Sequence, residues 1–392
     1  MLFSFAMIIL VGVGFAMIMR KLGLPNLLGY LLAGIILGPF VFNVIDTTTF
    51  QISSDIRQIA LMIILMRAGL NLQISDLKKV GPSALLMCFV PASFEIIGLM
   101  ILAPIFLHLD LLNAAILGTV LAAVSPAVVV PLMLKLMDEG YGTKEGIPQL
   151  IMAGASMDDV YVIVLFTSLL TLAKSGEFNA LSLLRIPTSI LFGIISGIVL
   201  GYVLCKLYRL LKLSTEIELA CMFAVGMALI TIERMMTGAV GFSGLLAIMA
   251  MTSSVRHIKP DMADNYSAVL AKLWQPAEIF LFALVGASVR IDYALSFGPV
   301  VLVVIILALL FRMTGVYLSV MKTKFSLKEK IFAMIAYLPK ATVQAAIGGL
   351  ALEAGLASGE LILTAAVTAI LVTAPLGAIF ISITYRNFLQ KA

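Results

Sequence analysis

About thirteen apolar stretches, each close to the ~20 residues that span a hydrocarbon core, follow one another along this chain of 392 residues and leave it few folds to adopt. They begin near Leu2, Asn26, Arg57, Pro82, Leu111, Pro148, Ile186, Glu216, Gly238, Val269, Leu295, Lys330 and Glu360. Lipid offers no partner to a backbone amide or carbonyl, so a chain of this kind must bond its peptide groups internally, as helices or as a closed barrel. The runs are long and show no alternation of apolar and polar residues, which argues against a barrel. With 62% hydrophobic and 12% charged residues, the expectation is an all-α polytopic membrane protein.

The opening run, Met1 to Met19, has no basic leader and no small-residue cleavage site, and Arg20-Lys21 follow it, so it reads as the first spanning helix. Assigning the loops alternately to two sides gathers most Lys and Arg on one of them, from Arg20 and Lys21 through Lys78 and Lys79 to Arg386 and Lys391. The positive-inside rule makes that side cytoplasmic, with the N-terminus outside and the C-terminus inside a plasma (inner) membrane. The net charge of +5 therefore reports topology, and no nucleic-acid partner is expected. Cys88, Cys205 and Cys221 show neither paired nor metal-ligand spacing, and His108 and His257 lie in loops without a nucleophile nearby. Neither an enzyme nor a resident cofactor is expected.

Two halves of the chain echo each other. Gly69 precedes Glu95 by 26 residues (95 − 69) and Gly286 precedes Arg312 by the same 26 (312 − 286), so both pairs share an offset of 217. Tyr30-Leu31-Leu32-Ala33 has a counterpart in Gly244-Leu245-Leu246-Ala247. The expected architecture is thus an inverted repeat of six plus six helices joined by a linker helix, since an odd number of spans separates equivalent helices. In it the fifth helix, with Ser125-Pro126 and Pro131, pairs with the twelfth, with Pro339 and Thr342. Proline removes a backbone donor and clashes with the preceding turn, so the pair is expected to be interrupted and crossed at mid-membrane.

Charges inside such spans cost roughly 2.5–3.5 kcal/mol each by insertion scales and usually line a route for ions or protons. Eight fall there: Arg67, Glu95, Asp158, Asp159, Lys272, Glu278, Arg312 and Lys340. Glu95 and Arg312 occupy equivalent repeat positions and are expected to form a structural ion pair. Lys340, at the break of the twelfth helix, is expected to neutralise one of the adjacent aspartates, Asp158 and Asp159; Arg67 and Glu278 form a further candidate pair. Neighbouring helical residues point about 100° apart, so the two aspartates cannot do the same work. One is left to hold either a cation or a proton, because each excludes the other from a single carboxylate. Ser125, Ser156 and Thr342 are the hydroxyls nearest the breaks and complete an oxygen set suited to Na⁺ or Li⁺.

Together these residues resemble the cation/proton antiporter superfamily, most closely its NHA-type sodium/proton antiporters. The resemblance is carried by Leu28-Gly29-Tyr30-Leu31-Leu32-Ala33-Gly34 through Gly38-Pro39, by Arg67-Ala68-Gly69-Leu70, by Ala123-Val124-Ser125-Pro126 through Pro131, by Gly154-Ala155-Ser156-Met157-Asp158-Asp159, and by Leu338-Pro339-Lys340-Ala341-Thr342-Val343-Gln344-Ala345-Ala346. It implies a secondary antiporter exchanging Na⁺ or Li⁺ for H⁺, with Asp159 the main carrier, Asp158 the partner of Lys340, and Glu95 with Arg312 a stabilising pair. It implies a homodimer made by panel helices, residues 1–81 and 216–292, and core transport helices, residues 82–184 and 293–392, with residues 185–215 as linker. Two other functions fit less well. K⁺/H⁺ exchangers of similar fold commonly carry a cytoplasmic nucleotide-binding domain, whereas about six residues follow Arg386 here; a sodium-coupled organic anion symporter would keep fewer buried acid–base pairs.

Overall fold

Helix follows helix because each run, once dehydrated, can bond its backbone only to itself. The computed structural model describes residues 1–71, 82–175, 185–211, 213–236 and 241–391. The helices are α1 (Leu2–Lys21), α2 (Asn26–Leu37), α3 (Thr47–Gln51), α4 (Ser53–Asn71), α5 (Pro82–Met87), α6 (Val90–Leu107), α7 (Leu111–Ala122), α8 (Pro126–Asp138) and α9 (Ile147–Ser175). They continue as α10 (Arg185–Leu211), α11 (Thr215–Met235), α12 (Gly244–Ile258), α13 (Pro260–Ala287), α14 (Ile291–Val320), α15 (Leu327–Ala336), α16 (Thr342–Ile347), α17 (Leu350–Glu353) and α18 (Gly359–Phe388). The fold is all-α.

Nine helical stretches among the described residues are long and apolar enough to cross a membrane. Twelve of the thirteen expected starting points fall in helix; the one near Gly238 lies outside the described residues. The four expected spans that fall short do so for local reasons. α2 stops after 12 residues at Gly38-Pro39, α4 carries Asp55, Arg57 and Arg67, α12 has 15 described residues, and α15–α16 is interrupted.

The chain forms two compact units. One comprises Met1–Ser54, Ile74–Phe166 and Ile279–Ala392; the other Asp55–Gln73 and Thr167–Glu278. These boundaries do not coincide with the panel and core segments expected from the sequence. In the first unit α2 lies so close to the end of α13 that a Cβ on Gly34 would overlap the Ala283 backbone, which explains a glycine in the Leu28–Gly34 motif. A buried apolar cluster built from Met133 and Leu136 of α8, Ile147, Leu150 and Ile151 of α9, Phe332 and Ala333 of α15 and Ile381 of α18 holds the interrupted helices around α9.

The repeat is visible in contacts between equivalent residues. A Cβ on Gly98 of α6 would strike the Phe311 ring of α14, and one on Gly315 would meet the Phe94 side chain. Phe94 and Phe311 differ by 217, as do Gly98 and Gly315, so the contact is reciprocal: residue to partner and partner to residue, the mark of a two-fold relation. Glu95–Arg312 and Ser125–Thr342, both 217 apart, touch at the same axis.

Candidate ion site at the helix crossing

Two prolines open the site. Pro126 has no N–H to return to Ala122 O, and a residue before proline is driven out of helical geometry. Ser125 is accordingly extended at φ −88°, ψ 110°, and α7 ends at Ala122 while α8 begins at Pro126. The break therefore falls at residues 123–125. Pro131, expected to contribute to it, lies inside α8, which runs on to Asp138. In the second half α15 ends at Ala336 and α16 begins at Thr342, leaving Pro339 in a non-helical segment.

Several backbone groups freed by these breaks have definite partners, as burial demands. Ser125 N donates to Pro339 O at 2.8 Å, joining the two interruptions directly. Val124 N donates to Asp158 Oδ2 at 2.9 Å. Ala122 O, orphaned by Pro126, accepts from Arg312 Nη1, and Leu121 O accepts from Lys340 Nζ. Gln344 Nε2 donates to Ala123 O at 2.8 Å. Across the crossing, Tyr337 O accepts from Arg312 Nε at 2.8 Å and Lys340 N donates to Thr373 Oγ1 at 3.0 Å.

Arg312 is the hub. Its Nη1 lies 2.9 Å from Glu95 Oε2 and its Nη2 2.7 Å from Asp158 Oδ2, with the Tyr337 ring under the guanidinium at 5.4 Å. Lys340 Nζ lies 2.7 Å from Glu95 Oε1. The expected pairing of Asp158 with Lys340 is thus replaced: Asp158 takes an arm of Arg312, and Lys340 shares Glu95 with it. The reason is geometric. A guanidinium forks and serves two acids at once, whereas an ammonium is a point charge that settles on the nearest acid and carbonyl.

Asp159 is 5% exposed and makes no ion pair among the described residues; its Oδ1 is buried without a hydrogen-bond partner, as is Oδ1 of Asp158. Ser125 and Thr342 are buried and face each other, Oγ to Oγ1 at 3.5 Å. The side chain of Ser156 lies outside the described residues. Arg67 and Glu278, in the other unit, interact electrostatically. No group of three or more His, Cys, Asp or Glu suited to a metal occurs among the described residues.

Sequence reasoning missed three members of this crossing. Gln344 and Thr373 are polar residues within apolar helices, and that interruption of the pattern was their available signal. Tyr337 gave none, because its contribution is a backbone carbonyl and a ring face.

Comparison with known proteins agrees with this architecture. Residues 5–386 match the family described as sodium/hydrogen exchanger, transmembrane. The chain is 35% identical over 392 residues to human Sodium/hydrogen exchanger 9B2, covering 94% of this chain and 70% of that protein. It is 34% identical over 383 residues to human Sodium/hydrogen exchanger 9B1, covering 94% and 73%. The solved structure of the sodium proton antiporter MjNhaP1 from Methanocaldococcus jannaschii at pH 8 has the same fold, with a TM-score of 0.83 at 20% identity over 98% of this chain and 97% of that one.

Proposed function

This chain belongs to the transmembrane sodium/hydrogen exchanger family, and from that premise we propose that Asp159 is where it binds Na⁺ (or Li⁺) and H⁺ in turn, exchanging one for the other across the membrane. The observation that carries this reading is a charge count. Three carboxylates, Glu95, Asp158 and Asp159, are buried with two cations, Arg312 and Lys340. With all five ionised, one negative charge remains, and both cations already bond other acids. A lone buried charge is expensive unless paired. One proton or one monovalent cation removes it, and two cannot be held, so occupancy by either ion excludes the other.

The crossing supplies the rest of the site. Asp158 is held by Arg312 and Val124 N and shapes the site beside Asp159. Ser125 and Thr342, with Ser156 on the helix that bears the aspartates, offer hydroxyl oxygens to a hard cation. Glu95 is the shared counter-ion that keeps Arg312 and Lys340 from reaching Asp159. Exchange requires only that the transport segments, residues 82–184 and 293–392, change access when Asp159 is occupied; they move against panel segments 1–81 and 216–292, which pair two copies as a homodimer. The C-terminus and the Lys/Arg-rich loops face the cytoplasm, and the protein resides in the plasma (inner) membrane.

Asp159→Asn tests the assignment. In proteoliposomes it is expected to abolish proton movement driven by a Na⁺ gradient, with the melting temperature in detergent kept or raised because the variant removes the unpaired charge. Exchange at the native rate in a folded Asp159→Asn protein would defeat it.

A further inference from the structure

The hydrogen bonds of the crossing leave one buried acceptor unmatched that is neither a carboxylate nor a backbone carbonyl. Gln344, on α16, is fully buried. Its Nε2 donates to Ala123 O at 2.8 Å and to Leu121 O at 3.4 Å, so both amide protons are committed to carbonyls freed by the break after α7. Those bonds fix the orientation of the side chain. Turned over, the amide would set its oxygen against the same two carbonyls and lose both bonds. The Oε1 that this orientation presents is buried and has no donor among the described residues.

An acceptor stripped of water and given no donor forfeits its hydration. The chain tolerates this at three oxygens of the same crossing: Asp158 Oδ1, Asp159 Oδ1 and Gln344 Oε1. Gln344 grips Ala123, and the next residue, Val124, bonds Asp158; Thr342, two residues before Gln344, faces Ser125. A set of acceptors lacking donors matches a bare cation, whose ligands are lone pairs alone.

We propose that Gln344 is a ligand for the transported metal ion, its amide oxygen adding affinity for Na⁺ or Li⁺ and none for the proton. The inference rests on the reading of Asp159 as the exchange site. A carboxylate binds both ions, so its strength cannot favour one without the other. A neutral amide oxygen is a good ligand for a hard cation and a very weak base. Gln344 thereby tilts the competition at Asp159 towards the metal ion, and the carbonyls of Leu121 and Ala123 hold it ready to do so.

The test uses the full chain with Gln344→Met, which removes both polar atoms at similar length, and Gln344→Asn, which keeps an amide one methylene short. Three quantities are measured: the Na⁺ concentration giving half-maximal thermal stabilisation in detergent, KM for Na⁺ in proteoliposomes, and the pH midpoint of proton release without Na⁺. Gln344→Met is expected to raise both Na⁺ values about tenfold, the loss of one buried polar ligand, with the pH midpoint unmoved. Gln344→Asn shifts them in the same direction by less, and it decides the matter if the methionine variant fails to fold. Unchanged Na⁺ values in whichever variant folds overturn the proposal, as does a pH midpoint that moves with them. Asp159→Asn, run in parallel, separates the two readings. If it abolishes Na⁺ stabilisation while the Gln344 variants match the native protein, only the role of Gln344 falls; if it leaves Na⁺ stabilisation intact, both fall.

Discussion

Helices α10 and α12 meet through Gly193, Gly197 and Gly201, four residues apart, each placed where a Cβ would overlap a backbone oxygen, of Ser243, Ala247 and Met251 in turn. Helices α6, α7, α9 and α14, in the other unit, meet through Glu95, Asp158, Arg312 and the carbonyls of a broken helix. Lipid is as apolar as a leucine face, so neither contact is driven by hydrophobic burial; close packing and hydrogen bonds are what remain. The glycine contact desolvates nothing charged and has one good arrangement. The charged contact dehydrates five ions and is stable only while every arm is engaged. Of these two contacts, the charged one is the one whose balance a single added charge would alter.

Three substitutions probe this contrast, in decreasing order of expected effect. Arg312→Met strips the donor from Glu95, Asp158, Ala122 O and Tyr337 O together. Removing one partner of a buried ion pair costs about 3–5 kcal/mol, so the variant is expected to lose most of its melting temperature or fail to accumulate; a native melting curve would mean that the network holds nothing together. Gly197→Val forces α10 and α12 apart at an overpacking cost of about 1–3 kcal/mol. It is expected to lower the melting temperature and leave KM for Na⁺ unchanged, and a changed KM would tie the glycine contact to the ion site. Asp292→Asn removes an exposed partner of Arg290, which keeps Glu360 at 3.3 Å. Solvent screens such pairs, and neither melting nor exchange is expected to respond.

Parts of the crossing could be read in advance because they depend on local chemistry or on counting. A proline lacks its N–H wherever the chain takes it, so Ser125-Pro126 and Pro339 announce interruptions. The common offset of 217 puts Glu95 opposite Arg312, since equivalent residues of a two-fold meet at its axis; the contacts Gly98–Phe311 and Gly315–Phe94 are exchanged by the same two-fold. The partner of Lys340 could not be read this way. Asp158 and Glu95 compete for Lys340 and Arg312, and the outcome depends on ångström-scale reach across four helices. Gln344 escaped for a related reason: an amide in an apolar helix declares a polar role, but only the positions of Leu121 O and Ala123 O decide which of its atoms is left over.

What the chain determined by itself is what dehydration imposes on any sequence of this pattern: helices throughout, breaks at the prolines, and a handful of charges forced into one another's company. Tertiary structure alone decided how those charges divide, with Arg312 forked between Glu95 and Asp158, Lys340 drawn to Glu95, and Asp159 left without an ion-pair partner among the described residues. Coulombic preference at short range follows from distance and from the shape of the donor, and neither is written in the order of the residues.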